Sequence, residues 1–138
     1  MDLQAIRNAI YAEFVGDADL LAALGGSARR MYPEEAPQDA ASPYCTYQYI
    51  TGVPDPTFTS DGEITSWQFS LFNKTDEPRD FTDITLVFKK LMAAYDDAAL
   101  TLSGYSSIGV TRGISNVVPT IDGVQQLVVT YEIIVEDT

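Results

Sequence analysis

Between Ser66 and Tyr95 the chain reads SWQFSLFNKTDEPRDFTDITLVFKKLMAAY, and its apolar spacing switches there from every second residue to every third or fourth. That switch constrains the fold most, because it sets a half-buried strand directly before an amphipathic helix. Trp67, Phe69 and Leu71 point to one side of the predicted strand and Ser66, Gln68 and Ser70 to the other, the pattern of an antiparallel sheet with one face in water. Downstream, Phe81, Ile84, Phe88, Leu91 and Tyr95 fall on one helical stripe, which Val87 and Met92 widen. This stripe is the natural cover for the Trp67 face. Burying each large side chain contributes ~1.5–3 kcal/mol, so Trp67, Phe69, Phe81, Phe88 and Leu91 form the predicted core, and Phe88→Asp is expected to unfold the chain. Thr75 or Asp76 is placed to cap the helix, and Pro78 to sit in its first turn, where its missing N–H costs nothing.

The other segments read against that pair. Leu3, Ile6, Ile10 and Phe14 predict an amphipathic helix with Asp2 at its start. After Gly16 and Asp17, ADLLAALGG predicts a second short helical piece ended by Gly25 and Gly26. From Met31 to Pro43 the prolines at 33, 37 and 43 predict a mobile acidic loop. YCTYQYI, Tyr44 to Ile50, alternates with apolar groups on both sides, as in a strand that is central or meets another subunit. TGVPDPTFTSDGE then reads as an exposed excursion at the end of a long hairpin. Two further strands, about Ile108 to Val118 and Val124 to Glu136, are joined by a turn at Asp122 and Gly123, with Leu127, Val129, Tyr131, Ile133 and Val135 facing inward. Gly109 and Gly113 inside the first of these predict a bulge or a close approach. The predicted class is α+β: a mainly antiparallel sheet of four to five strands with two helices packed on one face.

Composition removes most reactive chemistry. At 138 residues and 46% hydrophobic content the chain can bury one core. It has no histidine, which excludes Ser-His-Asp and Cys-His arrangements and His-based zinc sites. Cys45, the single cysteine, lies in a strand without a source of thiolate stabilisation and reads as packing. Glu34-Glu35, Asp80 with Asp83, and Asp96-Asp97 fit a polar loop, a helix start and a solvated helix end better than paired acid–base work. SDGE at 60–63 and IDG at 121–123 lack the oxygen spacing of a calcium loop and read as turns. No catalytic residue, cofactor or metal is expected. A net charge of −12 with dispersed basic residues disfavours binding to nucleic acid and to anionic membranes. The lone cysteine, the absence of a signal-type N-terminus and the lack of a long apolar run predict a soluble protein folded in a reducing cytoplasm.

The pieces LQAIRNAIYAEF, LLAALGG, MYPEEAP followed by SPYCTYQYI, GEITSWQFSLFNKTDEPRDFTDITLVFKKL and GVQQLVVTYEIIVED, in that order, resemble the tail-terminator or tail-completion proteins of long-tailed bacteriophages, a family also found in prophages and gene transfer particles. The chain departs from them in its long TGVPDPTFTSDGE loop and its acidity. The resemblance covers nearly the whole chain and implies one tail-terminator-like domain over residues 1–138. It implies a non-enzymatic virion protein, assembled in the host cytoplasm, whose copies form a hexameric ring that caps the tail tube, ends its polymerisation and joins the tail to the head connector. DNA would pass through the ring without sequence-specific binding, past a lumen made negative by the acidic chain. On that reading Glu34, Glu35, Asp39, Asp55, Phe58 and Asp61 are the candidate partner-docking loop residues and Tyr44, Tyr47 and Tyr49 the candidate subunit contacts. Removing Gly52 to Glu63 should then leave folding intact and abolish docking to tails. The alternative from the residues alone is a small acidic binding module or inhibitor that docks on a basic partner surface.

Overall fold

The computed structural model describes residues 2–26, 29–54, 62–77 and 79–137. Helix α1 spans Leu3–Gly16, and the Asp2 carboxylate accepts from the amides of Gln4 and Ala5 at 3.0 and 3.3 Å. Two donors that a helix start leaves open are thereby satisfied. Ile6, Ala9, Ile10 and Phe14 make its buried side. Asp17 ends α1 and opens α2 (Ala18–Ala23): its amide donates to the Phe14 carbonyl, and its carboxylate accepts from the Leu20 amide at 3.0 Å. Gly25 follows at φ +93, a backbone conformation that favours glycine, and a Cβ there would have to displace the Arg30 guanidinium, whose Nε would lie 2.6 Å away.

Five strands form one sheet in the order β1-β2-β3-β5-β4, where β1 is Met31–Pro33, β2 Tyr44–Pro54, β3 Gly62–Lys74, β4 Tyr105–Ile121 and β5 Val124–Asp137. All neighbours pair antiparallel except β1 and β2, which are parallel. The fold is α+β, with helix α3 (Thr82–Tyr95) supplying the third helical segment among the described residues. The β4–β5 turn has Asp122 and Gly123 at φ 54 and 75, as a two-residue hairpin turn requires. The β4–β5 ladder shifts register between Ser107 and Gly109, between Arg112 and Ser115, and between Val118 and Ile121; the first two shifts fall at the predicted glycines.

The core lies between the helices and one sheet face. Trp67, Phe69 and Leu71 of β3 and Val129, Tyr131, Ile133 and Val135 of β5 are buried there. Phe69, Tyr95 and Tyr131 form an aromatic cluster with ring centroids 4.9 to 6.0 Å apart. Its polar atoms are satisfied: Tyr95 OH donates to the Ile10 carbonyl at 2.7 Å, tying α3 to α1, and Trp67 Nε1 donates to Thr65 Oγ1, which donates to the Ile133 carbonyl.

Several expectations are corrected. Met31–Pro33, expected within a loop, forms β1, because Cys45 N donates to the Arg30 carbonyl and Glu34 N to the Tyr47 carbonyl on either side of it. Helix α3 begins at Thr82, with Phe81 at its cap position and no side-chain cap. Thr75 instead accepts from Glu77 N in a local turn, and Asp80 accepts from Thr82 N and Oγ1 at 3.0 and 2.6 Å. These bonds, the hydroxyl first, hold the Asp80 carboxyl below its usual range. Pro78 lies outside the described residues. Phe81, placed in the core by periodicity, is 39% exposed, since the stripe starts with the helix at Ile84; Phe88 is half-buried against the core, and Leu91 is fully buried.

Candidate functional site

Strand β4 is an outer strand of the sheet, and among the described residues nothing pairs along its far side beyond the isolated bridge Thr101–Ser106. Its first half is held. Val110 is buried, and Arg112 Nε lies 3.2 Å from Asp96 Oδ2 just past the end of α3, while Asp96 Oδ1 accepts from Tyr131 OH at 2.6 Å. Burial first, and then the bond to Asp96, push the Tyr131 hydroxyl up, so it remains a donor. The second half of β4 runs past the helical cover. Ile114 is 80% exposed, Val117 51% and Ile121 69%, although Val117 stands opposite the buried Leu127.

Natural sheet edges are usually blunted by charge. Here β1, β2 and β4 contain none of the chain's 20 acidic residues, and Arg112 is the one charged residue in those strands. At the opposite side of the sheet β1 covers only Cys45–Tyr47 of β2, and Ile50 and Val53 beyond it are exposed. Between α1 and β1 runs a groove of about 780 Å³, lined by Tyr11, Ala12, Val15, Met31, Tyr32 and Tyr47 among others. An Arg7–Glu34 ion pair spans from α1 to the residue after β1.

The predicted docking and contact residues divide. Glu34 and Glu35 share a shallow depression with Tyr44, Gln48, Gln68 and Phe72 on the sheet face away from the helices. Tyr44 stacks on Phe72 there, centroids 4.9 Å apart. Asp39 is exposed in the loop before β2. Asp55, Phe58 and Asp61 lie outside the described residues. Tyr47 is only 3% exposed and its hydroxyl is pushed up to about 12 by burial, so it belongs to the core and reaches the surface only where it lines the groove beside α1; the alternation left both faces of its strand open, and the face that Tyr47 takes is the covered one. Tyr49 is half-buried and packs on Trp67 at 5.6 Å. Gly52, Val53, Gly62 and Glu63 are ladder residues, so removing Gly52 to Glu63 would take paired residues from both β2 and β3, and 55–61 lie outside the described residues. Ile114, Val117 and Ile121 were not singled out by sequence reasoning; the signal was the charge-free run flanking Arg112.

Reactive chemistry is sparse. Cys45 is fully buried with its thiol pushed up by desolvation, and its Sγ donates to the Thr46 carbonyl. Among the described residues no group of three His, Cys, Asp or Glu side chains could hold a metal ion, and no helix is long and apolar enough to cross a membrane.

No curated protein matches the chain in sequence. Among solved structures it is similar to a chain of the virion of a native gene transfer agent particle, 18% identical, with a TM-score of 0.82 over 96% of both chains. A second solved chain, 13% identical, superimposes with a TM-score of 0.59, again over 96% of both. At these identities the likeness is one of fold. The sequence model of the family described as Tail completion protein gp17 matches residues 8–136, all but the two ends, and the chain therefore belongs to that family, structural proteins of the phage virion tail.

Proposed function

We propose that this protein, acting as one domain over residues 1–138, forms a ring of six copies that caps the tail tube, stops its growth and joins it to the head connector. The observation that carries this reading is β4, a 17-residue outer strand without an acidic residue in a chain of net charge −12. Copies of so acidic a chain repel one another unless they meet where carboxylates are missing. An exposed apolar edge is a liability in a monomer and an asset in an assembly. A ring closes at a fixed rotation, so it adds one layer and leaves no repeating end. Contact with the tube protein and the head connector is assigned to the loops bearing Glu34, Glu35 and Asp39 and to the segment with Asp55, Phe58 and Asp61. DNA crosses the ring without sequence-specific contact.

Electron microscopy of tail tubes grown with and without the purified protein tests this. The expected result is a ring at one end and tubes that no longer lengthen. Tubes that keep growing with the protein bound along their sides, or not bound at all, would overturn it.

A further inference from the structure

The two borders of the sheet are complementary to each other. One offers a strand with bare apolar side chains, Val117 on a ladder position that the helices do not cover and Ile114 in the register shift before it. The other offers an apolar groove roofed by α1 along outer strand β1. We propose that β4 of one copy pairs antiparallel with the β1–β2 border of the next, seating Val117 in the groove beneath α1. The pairing rests on the ring reading above and names its joint.

Strand direction follows from chirality. β3 runs against β2, β5 against β3 and β4 against β5, so β4 runs opposite to β2 and to its parallel neighbour β1. A second copy whose helices lie on the same side, with its β1 border against β4, can be oriented only one way without mirror reversal. In that orientation the new ladder is antiparallel, the slightly more stable kind. Val117 lies in register with inward-facing Leu127, so it points to the helical side, where the neighbour's α1 stands. The usable run is bounded by chemistry. Pro119 removes a donor at one end of β4, the register shift between Arg112 and Ser115 breaks the ladder at the other, and Ser115–Val118 remain between them. The joint is heterologous, using different surfaces on the two partners, and therefore propagates in one direction around a circle.

Cysteine pairing tests the joint cleanly, because the native thiol, Cys45, is fully buried. Val117→Cys is placed in one preparation and Ala12→Cys, exposed on the groove side of α1, in another. Oxidation of the mixture at assembling concentration is expected to give a mixed dimer, while each variant alone stays uncrosslinked. Dimers from Val117→Cys alone would mean a two-fold β4–β4 contact and overturn the proposal. A parallel arm uses Val117→Lys, whose exposed position spares the monomer fold by circular dichroism. It is expected to raise the concentration needed for assembly on the order of tenfold or more, an unpaired charge having been placed in an apolar groove. A ring that forms equally well with Val117→Lys, by native mass, would sink the joint and leave the ring reading standing. Native protein that forms no ring alone or on tube ends sinks both.

Discussion

Leu127 and Val117 face each other across the β4–β5 ladder and point to the same side, yet Leu127 is 8% exposed and Val117 51%. The difference lies above the sheet, not in it. Over β3 and β5 the helices bring Tyr95, Leu91 and Phe14 into the buried core, with the Tyr95 ring 4.9 Å from that of Phe69. Over the far half of β4 no helix arrives among the described residues. Alternation decides which side a residue takes; a covering layer decides whether that side is interior. A region with the first and not the second is a half-built core, which another molecule can complete.

The contrast can be attacked from the covered side first. Tyr47, Tyr95 and Tyr131 all belong to the core, and burial raises each hydroxyl above its ordinary value of 10.0. As pH climbs past that value the unfolded chain ionises while the folded one keeps its protons. The stability they contribute is full below pH 10 and is lost as pH rises through the folded values. Cooperative unfolding is therefore expected above pH 10, with tyrosinate absorbance and near-ultraviolet dichroism moving together; titration of these rings with the fold intact would erase the distinction. Next in size, Trp67→Ala should cost ~3–5 kcal/mol in urea unfolding followed by far-ultraviolet dichroism, because the cavity lies under full cover. Asp96→Ala probes the boundary between the regions. It should cost ~1–3 kcal/mol by removing the acceptor of Tyr131 OH and freeing Arg112, and hydrogen exchange should quicken in the first half of β4 before β3. The smallest effect belongs to the uncovered side: Ile114→Ser should move monomer stability by no more than ~0.5 kcal/mol, and a larger loss would show that the position is part of the core after all.

Those residues also show what could be read in advance. The inward faces of β3 and β5 and the buried side of α1 were legible, since alternation and helical spacing match the cover that these residues receive. Phe81 was misplaced because periodicity cannot tell the last loop residue from the first helical one when no side-chain cap marks the boundary. Met31–Pro33 was hidden among prolines; β1 owes its existence to β2 beside it, and not to its own three residues. Tyr47 looked like a surface group because both faces of its strand are apolar, and only the positions of α1 and α3 show which face is closed. The uncovered half of β4 was not legible, as it alternates like any half-buried strand. Its lack of carboxylates was visible all along, and it gains meaning once that strand is known to lie at the border of the sheet.

Arg112, Asp96 and Tyr131 fasten the first half of β4 to the end of α3, while the turn end of the hairpin is held by Thr75 N donating to the Gly123 carbonyl and Gln125 Nε2 donating to the Asp80 carbonyl. In the proposed circle of identical parts the tilt of β4 against the body recurs at every seam, so a slight misalignment compounds with each copy until the last cannot meet the first. The bonds that hold β4 and its hairpin turn at both ends would thereby govern whether the loop of subunits shuts or winds on as a spiral.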